Sequence, residues 1–367
     1  MKRLSIIILA ALTATSVCLA QAPNDDLVNQ MNYLRENYRQ VVRIPDFGGF
    51  QTLKCDLHTH TVYSDGLVWP SIRVDEAWWD GLDAVAITDH IEYRPRKEKV
   101  LGDLNESYVV ASSRGKQIGM LVIPGTEITH SKPDGHLNAL FIKDANKINL
   151  PKTIDQIEAA CAQDAVVMLN HPGWPDNVST IDTMHIRLFK EGKIQLIEVD
   201  NCHQFYPRVC GWMKEYHLGP AASSDIHNLI GRSYGHGLFR PMTLVLAKER
   251  SLEGIKEALL ARRTIAFFNQ NIAGEEQYLK GLFEACISIK QAVNDKEHKR
   301  AVIELANNSD VEFDLAEPNG SSFILYPNQV YRKTIKYDDF KTIYEITNAH
   351  TGLNEHLKVV FPLTIND

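Results

Sequence analysis

The sequence predicts an α/β fold: mostly parallel strands closed into a helix-wrapped barrel, followed by a small antiparallel β-sandwich. Two textures support this reading. Between residues 53 and 268, seven short apolar runs (53–57, 84–88, 121–124, 137–142, 165–169, 196–199 and 221–223) alternate with helical patterns. Runs that are apolar on both faces and separated by helices suit a parallel sheet buried on both sides. Beyond Gly274 the pattern becomes polar and apolar alternation, at 301–306, 322–326, 342–347 and 357–361. Asn307-Asn308 and Pro318-Asn319-Gly320 supply turns between these runs. Only about ten residues separate the third run from the fourth, too few for a regular eight-fold barrel.

Taken in order, Lys2 and Arg3 precede an apolar run over 6–12, with small residues at 18–20. This is the pattern of a secretory signal peptide cleaved after Ala20, and it implies a periplasmic or secreted protein. Cys18 also allows a lipid anchor, although Val17 before it is larger than such signals usually carry. The run is shorter than the ~20 residues a spanning helix needs. Leu27, Met31, Leu34, Tyr38 and Val41 then recur at steps of four and three, an amphipathic helix within an N-terminal segment 21–50. The barrel is expected over 51–272. One of its helices follows Pro70-Ser71, presents Val74, Ala77, Trp78 and Leu82, and stops near Gly81. Another begins at Ser251 and presents Leu252, Ile255 and Leu259. The sandwich takes 273–367.

Composition narrows the function. A net charge of −7 argues against nucleic acid as an obligate partner, because a phosphate backbone calls for a basic face. Without Cys18 the cysteines are odd in number and scattered. A disulfide framework is therefore not expected; Cys202 and Cys210 either pair or remain buried thiols.

The ends of the apolar runs carry the chemistry. The first leads into Asp56-Leu57-His58-Thr59-His60-Thr61-Val62-Tyr63-Ser64-Asp65-Gly66; the second ends in Asp89-His90 and the third in Glu127. The fourth begins at His136, the fifth ends in His171, and the seventh closes with Asp225-Ile226-His227. His58 and His60 lie two apart, as do Asp225 and His227, so on a strand each pair leaves one face. An isolated His-x-His is weak evidence for a metal. Six His, two Asp and one Glu at the ends of six strands are hard to explain as structure alone, since the carboxyl ends of barrel strands are where sites assemble. His136 precedes its run and reaches the same rim only through a short connection or a reversed strand.

These residues resemble the polymerase and histidinol phosphatase (PHP) superfamily of metal-dependent phosphoesterases. The motifs are DLHTHTVYSDG, AITDH, GTEIT, GHLNAL, LNHPGW and SSDIH, in order, over about three-fifths of the chain. The resemblance implies a distorted seven-stranded TIM-like barrel and roughly two to three divalent ions of zinc, manganese or iron. His58, His60, Glu127 and Asp225 would hold the first ion; Glu127, as a bridge, with His136 and His171, the second; Asp65, His90 and His227 the third. Asp65 stands where some members carry histidine, which shifts that position toward harder ions. Glu127, Asp225 and His90 are the catalytic candidates. Two ions about 3.5–4 Å apart can share a water and lower its pKa toward about 7, which presents hydroxide to phosphorus.

Asp89 is expected either behind a liganding imidazole or in a loop hydrogen bond. Tyr63, Trp69, Arg94, Arg96, Lys132, Trp174, His203, Arg232 and Tyr234 surround the expected rim. Arg94 and Arg232 are candidate phosphate contacts, with solvated surface as the alternative; Trp69 and Trp174 either stack a substrate ring or cap the core. The expected activity is hydrolysis of a small phosphate monoester or diester. A metal-stabilised binding protein and amidohydrolase-like cleavage of another bond are the alternatives.

Overall fold

The structure is a computed structural model, and it describes residues 39–235 and 238–365. The signal sequence and most of the N-terminal helix lie outside the described residues. Residues 39–41, the end of that helix by periodicity, are not helical, and Val41 is exposed. From Arg39 onward the chain is one unit.

Strand and helix alternate first. β1 (Gln51–Asp56), α1 (Pro70–Trp79), β2 (Ala84–Ile87), α2 (Glu106–Ile118) and β3 (Leu121–Thr129) give three parallel strands in sequence. Pro70 at the first turn and Gly81 at φ 82° punctuate α1 as the sequence predicts. β4 (His136–Leu140) then runs antiparallel to β3. The link from His130 to Gly135 is too short for a crossover helix, so the chain can only turn back. α3 (Thr153–Cys161), β5 (Val166–Leu169), α4 (Thr183–Lys190), β6 (Leu196–Asn201), β7 (Gln204–Phe205), α5 (Pro207–Tyr216) and β8 (Gly219–Ser223) follow. β5, β6 and β8 are parallel, and β4 is antiparallel to β5.

All seven apolar runs are strands, and six of them run parallel with β4 alone reversed; the strands added beyond them make the sheet mixed. After α6 (Ile230–Ser233), β9 (Met242–Ala247) pairs antiparallel with β1. After α7 (Leu252–Leu260), capped by Ser251 accepting from the Gly254 N–H, β10 (Thr264–Phe268) and β11 (Asn271–Gly274) extend the same sheet. β8 meets both neighbours. The Thr243 hydroxyl on β9 accepts from Ala222 N and donates to Ala222 O, while further along Asp225 N donates to His58 O at 2.9 Å and His60 N to Ile226 O at 3.2 Å. The continuations of β8 and β1 are thus joined at their carboxyl ends.

α8 (Glu276–Cys286) leads into β12 (Ile287–Asp295), β13 (Arg300–Asn307), β14 (Phe313–Ala316), β15 (Ser322–Leu325), β16 (Val330–Lys336), β17 (Ile343–Gly352) and β18 (Glu355–Val360). β12, β13 and β16 form a three-stranded antiparallel sheet. β15, β14, β17 and β18 continue the large sheet through a β11–β17 pairing. Every C-terminal run named from the sequence falls on a strand. β12 and β16 escape it because their outer residues are polar and exposed, and β9 because only the short α6 separates it from β8.

Strand alternation fixes two apolar layers. Leu53, Cys55, Ala84, Ala86, Ile123, Val166, Met168, Leu196, Ala221 and Val245 pack on one another on one face. Their neighbours Val85, Val122, Val167 and Ile197 pack outward with the helices. Small residues opposite large ones let that inner layer fill. All five described cysteines are free, so Cys202 and Cys210 do not pair; burial pushes the Cys210 thiol up to about 12.

Candidate metal centre

Six strands deliver nine donors to one place. His58, His60 and Asp65 follow β1, and His90 follows β2. Glu127 lies on β3, His136 opens β4, and His171 follows β5, while Asp225 and His227 follow β8. Because β4 is reversed, its amino end lies beside the carboxyl ends of β3 and β5, which brings His136 to the same rim. His171 and Asp225 take positive φ (22° and 48°), a backbone that non-glycine residues adopt at a cost and that aims both side chains inward.

Glu127 is fully buried, and its two oxygens face different neighbours. Oε1 lies 3.4 Å from His58 Nε2, 3.2 Å from His136 Nδ1 and 3.5 Å from His171 Nε2. Oε2 lies 2.7 Å from His90 Nδ1 and 3.6 Å from His60 Nε2. Asp225 Oδ1 stands 3.3 Å from His58 Nε2 and 3.0 Å from His60 Nε2, and Asp65 Oδ1 stands 3.4 Å from His90 Nε2 and 3.2 Å from His227 Nε2. Three overlapping donor groups result: His58, Glu127 and His171; His58, His60 and Asp225; and His60, Asp65, His90 and His227.

The donor set fits cations. His58 Nε2 and His60 Nε2 face each other at 3.0 Å, and two lone pairs at that distance need a proton or a metal between them. Asp65 Oδ1, Glu127 Oε2 and Asp225 Oδ1 are buried without a well-formed hydrogen bond. Such orphaned carboxylate oxygens are costly unless a positive charge meets them.

The electrostatics agree. Burial opposes charge on Glu127 and Asp225, yet His58 and its neighbours hold both carboxyls below their ordinary range. Burial would lower His90, but Glu127 and Asp65 overcome it and raise the ring to about 10. His60, buried beside His90 and His227, is lowered to about 4. A ring raised from 6.5 contributes stability below that pH and loses it as pH climbs through about 10. In metal-stripped protein, the melting-temperature gap between wild type and His90→Gln should therefore be widest near pH 6 and shrink toward pH 10. Metal uptake should run the opposite way, since protonated imidazole cannot ligate.

Several supporting groups were not singled out by sequence reasoning. Glu198 Oε1 hydrogen-bonds His58 Nδ1 at 3.0 Å, turning Nε2 toward the cluster, and its Oε2 accepts from His171 N at 2.8 Å. A carboxylate inside an otherwise apolar run was the signal available. Asn170 donates to Glu127 Oε1 at 2.9 Å, and Thr129 Oγ1 meets His90 Nδ1 at 2.7 Å. The buried Arg73 of α1 donates to the carbonyl of His60 from Nε and Nη2 and to that of Asn228 from Nη1.

Other expectations change. Asp89 does not back an imidazole directly; its oxygens accept from Thr61 N, Thr61 Oγ1 and Ser64 Oγ, tying down the loop between His60 and Asp65. Arg94 donates to the carbonyls of Tyr63 and Gly102, so its guanidinium is committed to loop backbone, and Arg232 is exposed on α6. Neither lines the cleft over the donors, which Trp174 does. Trp174 packs on His136 with ring centres 5.0 Å apart and keeps half its surface exposed, whereas Trp69 lies against Tyr63. His203 packs at a tilt against Tyr234 beside a separate cavity.

No family model matches the chain. A solved two-domain protein from Bacteroides vulgatus, described as containing a predicted PHP-like metal-dependent phosphoesterase, is 35% identical; the alignment covers 90% of this chain and 100% of that one, with a TM-score of 0.84. A provisionally assigned metal-dependent phosphoesterase from Bifidobacterium adolescentis is 18% identical over 57% of this chain and 96% of that one, with a TM-score of 0.41. An uncharacterized protein of Methanocaldococcus jannaschii is 36% identical over 83 residues, which are 22% of this chain and only 36% of that protein's length.

Proposed function

Because this chain belongs to the PHP-like metal-dependent phosphoesterases, we propose that it is an exported hydrolase of phosphate esters working with a cluster of divalent metal ions. The observation that carries the reading is Glu127, whose two oxygens face separate sets of imidazoles as a bridging carboxylate requires. His58, His60, Glu127 and Asp225 would hold one ion and His136 and His171, with Glu127 shared, a second. Asp65, His90 and His227 would hold a third. Zinc, manganese or iron suits this nitrogen and carboxylate set.

Bound ions supply an acidified water and positive charge against the phosphoryl oxygens. The chain's own groups do the rest. Glu198, Asn170 and Thr129 fix the orientation of His58, Glu127 and His90, and Asp89 fixes the loop that carries Asp65. Trp174 and Tyr206 line the cleft and exclude water around a bound substrate.

The reading includes a seven-stranded barrel over 51–272 and a β-sandwich over 273–367. It is supported by the β8–β1 junction and by the seven strands, interrupted by one short 3-10 turn, that follow α8. Export rests on the signal-like residues 1–20; among the described residues no helix is long and apolar enough to cross a membrane.

The test is hydrolysis of para-nitrophenyl phosphate and its bis ester. Turnover of at least one, abolished by a chelator and restored by Mn or Zn, is expected. Turnover indifferent to chelation, or cleavage of a lactone with none of the esters, would overturn the reading.

A further inference from the structure

The cleft over the donors has a volume of about 590 Å³, and among the residues that line it there is no lysine or arginine. Its walls beyond the donors include Glu92, Tyr93, Trp174, Asn201, Gln204 and Tyr206. Tyr93 is half-exposed and sits beside His90, with ring centres 6.2 Å apart; Trp174, equally exposed, covers His136 and His171. Two open aromatic faces therefore flank the cluster. Between them stands the carboxylate of Glu92, whose oxygens accept from Thr129 N at 2.9 Å and Gln156 Nε2 at 2.6 Å, with His130 Nε2 3.5 Å from Oε1.

Of the basic side chains near this rim, Arg232 lies exposed on α6 outside the cleft and three others are engaged elsewhere. Arg94 binds the carbonyls of Tyr63 and Gly102, and Arg96 those of Ser64 and Gly66. Lys132 donates to Asp176 Oδ1 at 2.6 Å and to Val178 O. Apart from imidazoles, of which His130 beside Glu92 is the one outside the donor set, positive charge in the cleft then comes from the ions. Three divalent ions set against the carboxylates of Asp65, Glu127, Asp225 and the adjoining Glu198 leave about two charges, and Glu92 in the wall offsets one of them, so a single phosphoryl dianion more than neutralises the cleft. A second phosphate or a carboxylate on the substrate would meet no lysine or arginine in the cleft wall.

Resting on the phosphoesterase reading, we infer that the substrate carries a single phosphoryl group on an uncharged or cationic alcohol with a flat or apolar body. That body lies on Trp174 and Tyr93, with Glu92 favouring a positive substituent. Esters bearing a further phosphate or a carboxylate are discriminated against. Glu92 thereby sets specificity while standing apart from the reacting phosphorus.

The experiment compares tyramine O-phosphate with 4-carboxyphenyl phosphate on metal-loaded wild type and on Glu92→Gln, which removes the charge and can still accept from Thr129 N. Affinities for the alcohols tyramine and 4-hydroxybenzoate are measured by calorimetry on metal-stripped and loaded protein, a readout that needs no turnover. The kcat/KM ratio should favour the amine by about tenfold or more in wild type and fall several-fold in Glu92→Gln, with tyramine the tighter alcohol in both metal states. The comparison between proteins cancels the difference in leaving-group acidity. An unchanged ratio in Glu92→Gln, or equal or better turnover of the carboxylate ester, overturns this inference and leaves phosphoesterase activity standing. Failure to hydrolyse any ester, including para-nitrophenyl phosphate, defeats both.

Discussion

Replacing Glu127 with Gln is expected to lower kcat/KM on an aryl phosphate by on the order of a thousandfold or more, with loss of bound metal. The amide keeps the shape of the side chain, and its oxygen can still accept from Asn170. It cannot supply the second anionic oxygen that faces His90 and His60 across the pocket. A bridge that becomes a one-sided neutral donor releases ions on both sides. Metal content measured on the same preparation separates this from a simple catalytic defect. A variant that keeps its full metal content and wild-type turnover would show that Glu127 does not bridge.

Arg240→Ala is expected to destabilise the protein by about 3–5 kcal/mol. The guanidinium is fully buried; Nη1 donates to Asp56 Oδ2 at 3.1 Å and Nε to Asp80 Oδ2 at 2.9 Å. Asp56 has no access to solvent, and it ties the end of β1 to the end of β8 by accepting from His58 N, Ser224 N and Ser224 Oγ. Burial already raises the Asp56 carboxyl, with Arg240 as the main opposing influence. Without that partner the carboxylate would be protonated or left uncompensated beneath the donors, so urea unfolding should show the loss and metal affinity should fall with it. A denaturation midpoint within error of wild type would contradict this account of the junction.

The fold was legible in most strands buried on both faces, β9 and β10 excepted. A strand such as Ala84–Ile87, with every residue buried, stands out as an apolar run, and a helix opened by Pro70 is marked by its own chemistry. Direction was not legible. β4 looks like its parallel neighbours in composition, and only the short link from His130 to Gly135, with the position of His136 ahead of its run, hinted that it is reversed. β9 and β10, although wholly buried and separated by α7, were not named as runs; β9 follows β8 with only the short α6 between them.

The donors were legible because they stand at or just beyond strand ends beside apolar residues, with Asp65 in the loop that follows β1. Their supports were less so. Glu198 is one charge in an apolar strand, and Arg73 reads as the polar face of an amphipathic helix until the fold turns it inward onto His60 O. The arginines failed for a related reason. Sequence shows where a guanidinium begins, and loop carbonyls decided where Arg94 and Arg96 end.

The most direct test of the central claim is metal content by mass spectrometry on the full-length protein, before and after stripping and reloading. About two to three equivalents of Zn, Mn or Fe should be bound, falling in His58→Ala and Asp225→Ala variants. Well-folded protein that neither carries nor takes up any of these ions at neutral pH would contradict the account.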